Sequence, residues 1–96
     1  MIIWEVKMGI AFTSKAAYDS VQELGNKQAE VLEKIEELQP CSNKEIANAL
    51  GWEINRVTGR VNELAKMGII KSEQVARNNI GRLEKLWEIK EEYGRN

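Results

Sequence analysis

The sequence predicts a mainly α domain in which three short helices are closed by a β-hairpin and preceded by an arm of one short strand and one short helix. Three observations carry this. Apolar residues recur at three- and four-residue spacing in three successive stretches between residues 26 and 67. Each stretch ends at a residue that stops a helix: Pro40, Gly51 and Gly68. A β-branched run, a turn segment and a second short apolar alternation then follow.

The arm covers residues 1–25. Trp4, Val6 and Met8 alternate with Glu5 and Lys7, which predicts a short strand broken at Gly9. Thr13 or Ser14 caps a short helix with Ala17, Val21 and Leu24 on one face and Gly25 as its stop. The domain proper spans residues 26–92, and residues 93–96 are expected to fray. Asn26 is the expected cap of its first helix, which buries Val31, Leu32, Ile35 and Leu38. The other face of that helix carries Glu30, Glu33, Lys34 and Glu37 and reads as solvated and acidic. The next helix has a capping box, Ser42-Asn43-Lys44-Glu45. Cys41 and Ile46 flank it at the spacing of a hydrophobic staple, so Cys41 reads as packing. Ile46, Ala47 and Leu50 face inward. The third helix runs from about Glu53 to Met67, with Ile54, Val57, Val61 and Leu64 inward. The hairpin follows: Ile69 to Val75, a turn through Arg77-Asn78-Asn79-Ile80-Gly81-Arg82, and a return on which Leu83, Trp87 and Ile89 share a face. Trp87 is expected to pack under the third helix, and Trp52 to be half-buried.

Composition removes most alternatives. With no histidine and one cysteine, the chain lacks the usual general base and the usual zinc ligands. No glycine-rich phosphate loop or nucleophile elbow is present, so neither an enzyme nor a cofactor or metal site is expected. No apolar run reaches bilayer length, Met1-Ile2-Ile3-Trp4 runs at once into charge, and Cys41 has no partner; a cytoplasmic location is the expectation. The net charge is −1, yet it is unevenly placed. Residues 54–85 hold seven bases against three acids, a net +4; the remaining seven bases and twelve acids give −5. A chain so divided can present one basic face to a polyanion.

Two helices joined by a short turn containing glycine make a helix-turn-helix unit. Here the small Ala47 lets the helices cross closely, and Gly51 makes the corner. The stretch Asn43-Lys44-Glu45-Ile46-Ala47-Asn48-Ala49-Leu50-Gly51-Trp52, then Ile54 through Leu64 and Met67-Gly68-Ile69-Ile70, resembles the winged helix-turn-helix superfamily of bacterial, archaeal and phage regulators. The hairpin from Arg77 to Ile89 is similar to the wing of that group. The resemblance covers about residues 27–90. The chain departs from it at Glu53, where many members have proline.

The resemblance implies that the third helix lies in the major groove of double-stranded DNA and that the chain regulates transcription. Asn55 and Arg56 would read base edges from its first turn, and Thr58 would meet phosphate or a thymine methyl. Gly59 would allow close backbone approach, and Arg60, Asn62 and Lys66 would complete the face. Arg77 and Arg82 bracket the wing tip and would grip phosphate or enter the minor groove. Lys71 and Lys85 would support them, and Asn43 and Lys44 would meet phosphate at the start of the second helix. Local pairing competes for Arg56 (with Glu53) and Arg60 (with Glu63). A homodimer through Ile2, Ile3, Trp4 and Val6 is compatible with the arm. The alternative reading is a winged-helix protein-interaction module that does not bind DNA.

Overall fold

A computed structural model describes residues 4–7, 10–12, 19 and 21–91. The elements are β1 (Trp4–Lys7), β2 (Ile10–Phe12), α1 (Asn26–Leu38), α2 (Asn43–Leu50), α3 (Ile54–Lys66), β3 (Ile70–Arg77) and β4 (Leu83–Ile89). Three helices followed by an antiparallel hairpin form the mainly α fold with a small β wing that the sequence predicts. β1 pairs antiparallel with β2 in a separate two-stranded sheet. β2 is an addition to the arm, for which the sequence predicts one strand. Asp19, Val21 and Gln22 are helical, in line with a short helix there; Ile2, Ile3, Thr13, Ser14, Ala17 and the tail 93–96 lie outside the described residues.

Local chemistry sets the helix ends. α1 starts one residue earlier than expected: Gly25 is its N-cap and Asn26 its first helical residue. Gln28 reaches back to accept the Gly25 N–H at 3.1 Å. In α2 both halves of the capping box form. The Glu45 N–H donates to Ser42 Oγ at 3.2 Å, and the Ser42 N–H donates to Glu45 Oε1 at 3.0 Å. Gly51 closes α2 at φ 71°, a left-handed conformation that glycine adopts without a Cβ penalty. Three residues, Gly51 to Glu53, then turn the chain into α3.

The core joins all three helices to the hairpin. Val31, Leu32 and Ile35 of α1, Ile46 and Ala47 of α2, and Val57, Val61 and Leu64 of α3 are buried with Ile69, Ile70, Trp87 and Ile89. Val21, ahead of α1, belongs to the same core, so the end of the arm packs into the domain. Cys41, between α1 and α2, exchanges two backbone hydrogen bonds with Trp87, at 3.0 and 2.6 Å. That bridge ties the base of the wing to the helical layer. Burial, with a smaller contribution from Glu45, pushes the Cys41 thiol up to about 12, so it stays protonated.

Three residues placed on inward faces by the sequence are exposed. Ile54 keeps 45% of its surface because it opens α3, a full turn before the helix meets the core at Val57. Leu83 keeps 63% although it shares the β4 face of Trp87 and Ile89. The wing runs past the edge of the helices, so the face that is core at Trp87 is an overhang at Leu83. Leu38, at the last turn of α1, is likewise 39% exposed.

Candidate functional site

A cleft of about 340 Å³ lies between the start of α2, the outer side of α3 and the wing. Ser42, Asn43 and Lys44 form one wall, Ile54 and Asn62 another, and Glu84, Lys85 and Trp87 the third. Three of the residues singled out on the sequence, Asn43, Lys44 and Asn62, therefore meet here, together with Lys85. The exposed Ile54 gives the cleft an apolar side beside these polar groups.

Along α3 the buried line Val57, Val61 and Leu64 fixes what faces out. Asn55, Gly59, Asn62 and Lys66 follow one another at four, three and four residues and lie opposite it. Asn55, Asn62 and Lys66 are exposed, and Gly59 is half-buried. A Cβ built on Gly59 meets no atom within 4 Å. Nothing among the described residues calls for glycine there, although it costs a helix interior roughly 1 kcal/mol relative to alanine.

Other candidates have intramolecular tasks. The Thr58 hydroxyl donates to the Ile54 carbonyl at 2.9 Å and accepts from Asn43 Nδ2 at 3.3 Å, linking the starts of α2 and α3. Asn43 Oδ1 is buried without a hydrogen-bond partner among the described residues. Arg60 faces α1 and not the cleft. Its Nη2 is 2.8 Å from Glu63 Oε2, while Gln28 Nε2 donates to Glu63 Oε1 at 2.8 Å. Those two hydrogen bonds, Gln28's first, hold the Glu63 carboxyl below the usual carboxylate range. Lys71 is paired with Glu73 at 2.6 Å and with Glu88 at 3.8 Å, which raises its pKa, chiefly through the Glu73 hydrogen bond.

Arg56 is exposed and makes no ion pair among the described residues; its guanidinium lies 5.0 Å from the Trp52 ring centroid. Pairing with Glu53 at three residues' spacing is not used. At the wing tip Arg77 Nη1 donates to the Gly81 carbonyl at 2.8 Å. Asn78 organises that tip. Its Oδ1 accepts from the Ile80 and Arg82 N–H groups at 3.0 and 2.9 Å, and Gly81 takes φ 83°. Arg82 and Ile80 are presented outward, Ile80 with 77% of its surface exposed. The sequence marked this segment as a turn but did not single out Asn78; an Asn three residues before a Gly was the available signal.

The fold and this arrangement define a winged helix-turn-helix domain. The chain belongs to the HVO_A0114 family, whose model matches residues 23–84. Its fold is similar to that of a possible transcriptional regulator from Methanosarcina mazei Go1. The likeness has a TM-score of 0.60 at 12% sequence identity and covers 93% of this chain and 74% of the other. At that identity the similarity carries the fold alone. No curated protein matches the sequence.

Proposed function

We propose that the chain binds double-stranded DNA and regulates transcription, with α3 in the major groove and the wing on phosphate or in the minor groove. The observation that supports this most is Gly59. An interior helix glycine surrounded by open space lets the backbone approach a surface outside the chain, and it lies in the middle of the outward row Asn55, Asn62 and Lys66. Asparagine pairs bidentately with adenine, and lysine contacts guanine or phosphate. No acid stands in that row.

The surrounding cations fit the same surface. Lys44 and Lys85 flank the cleft, Arg56 stands at the first turn of α3, and Arg77 and Arg82 stand at the wing tip. Thr58 then serves chiefly to hold the starts of α2 and α3 in register, and Arg60 Nη2 is engaged by Glu63, while Asn43 Oδ1 and Arg60 Nε stay unpartnered among the described residues. Two copies joined through the arm would set their α3 helices on half-sites about one helical turn apart. The likeness to a possible transcriptional regulator agrees with this reading at the level of fold.

The test is binding to mixed-sequence duplex DNA over a salt series, comparing wild type with Arg56→Ala. Affinity should fall linearly on a log–log plot, and the variant should bind more weakly with a slope shallower by about 0.9. No binding by wild type at low salt would overturn the proposal in favour of a protein-interaction module.

A further inference from the structure

We propose that Lys27, Trp52 and Arg56 form a clamp for one DNA phosphate, so that α1, acidic along its outer face, enters the interface through its first turn. The inference rests on the DNA reading above. The half-buried Trp52 ring carries two cations: the Lys27 ammonium 5.1 Å from its centroid and the Arg56 guanidinium at 5.0 Å. The two charges, brought from the first turns of two different helices, therefore lie within about 10 Å of each other.

Each cation is drawn to the electron-rich ring, which leaves its positive charge in place. Close carboxylates do little to neutralise the pair. Arg56 has no ion pair among the described residues, and Glu53 makes none with it. Glu30 reaches Lys27 only at 3.9 Å, with about half of each side chain in solvent. Nor does a side chain cap the first N–H groups of α1 or α3, whereas Ser42 caps α2. A phosphodiester carries one negative charge over two accepting oxygens and can take one cation on each once the two long side chains close on it. Stacking on the indole restrains both side chains beforehand, which lowers the ordering cost of binding. Because Arg56 borders the outward row of α3, a phosphate held here belongs to the strand lining the groove that α3 would enter.

The experiment measures duplex DNA affinity between 50 and 200 mM salt for wild type, Lys27→Gln and Lys34→Gln. Lys34 sits on the same helix and is paired with Glu37 at 3.1 Å, so it controls for net charge. Both substitutions are on the surface, and matching thermal unfolding verifies that the variants are folded. Loss of one phosphate contact reduces the salt slope by about 0.9, so the wild-type advantage over Lys27→Gln should shrink about 3.5-fold across this range. Lys34→Gln should follow the wild-type slope. The clamp is refuted if wild type binds DNA and Lys27→Gln keeps its slope, or if both variants lose the same amount. Absence of wild-type binding removes the DNA reading itself, and the clamp with it.

Discussion

Replacing Gly59 by alanine separates stability from function within one residue. The position is in the middle of α3, with ordinary helical backbone on both sides. The added Cβ meets no atom within 4 Å, so there is no steric charge against the substitution. The helix gains the difference in propensity and loses chain entropy in the unfolded state, together about 0.4–1 kcal/mol. For a chain of this size that corresponds to a rise in Tm of about 2–8 °C. The assays are thermal or urea unfolding of both proteins and a duplex DNA titration at fixed salt. Gly59→Ala should melt higher and bind DNA more weakly, because the methyl group occupies the space through which the backbone approaches the groove. A destabilised variant would contradict the open surroundings of the residue. A stabilised variant with wild-type DNA affinity would refute the argument that Gly59 is there for close approach.

Four further outcomes follow from the local chemistry. Ser42→Ala removes the α2 cap and should cost about 1 kcal/mol in urea unfolding, while Lys44→Ala beside it leaves stability nearly unchanged. Gly81→Ala forces a Cβ into φ 83° and should cost about 1–2 kcal/mol. Its effect on a solvent-exposed tip is read best as faster amide exchange at Ile80 and Arg82. Glu63 has its folded pKa depressed by Gln28 and Arg60, so its contribution is present above the unfolded carboxylate value and is lost as pH falls through the lower folded value. Wild type should therefore lose more Tm between pH 7 and pH 3 than Glu63→Gln does; parallel pH profiles would disprove the linkage. Cys41, with its thiol raised to about 12, should resist alkylation at pH 8 until the protein unfolds.

The parts of this molecule that were legible in the sequence are those settled within a few residues. The Ser42–Glu45 box, the left-handed Gly51 and the apolar stripe of α3 each depend on neighbours along one helix, and each appears where the spacing puts it. What escaped was non-local. Leu83 has the right face but the wrong surroundings, because only the tertiary arrangement shows that the wing overhangs the helices. Ile54 fails for the same reason at the free end of α3. The Cys41–Trp87 bridge joins residues 46 apart, and no pattern in either segment announces it. β2 is three residues long, too short for an alternation to register.

The candidate site divides in the same way. The outward row of α3 follows from helical periodicity once the buried stripe is known. The fates of Arg56 and Arg60 do not. Both stand three residues from a glutamate, yet Arg60 pairs with Glu63 while Arg56 turns to Trp52. The deciding partners, Gln28 for Glu63 and Lys27 for Trp52, lie on α1, distant in sequence. For the same reason α1, judged by its acidic outer face, gave no sign that its first turn reaches the α2–α3 corner.

The central claim is that the face of α3 opposite the core meets DNA. The most direct measurement is an amide chemical-shift map of the isotopically labelled protein titrated with a mixed-sequence duplex at low salt. Asn55, Gly59 and Asn62 should shift or broaden first, together with the wing residues Arg77 to Arg82. Perturbations confined to the acidic side of α1 at Glu30, Glu33 and Glu37, or a spectrum that DNA leaves unchanged, would contradict that claim.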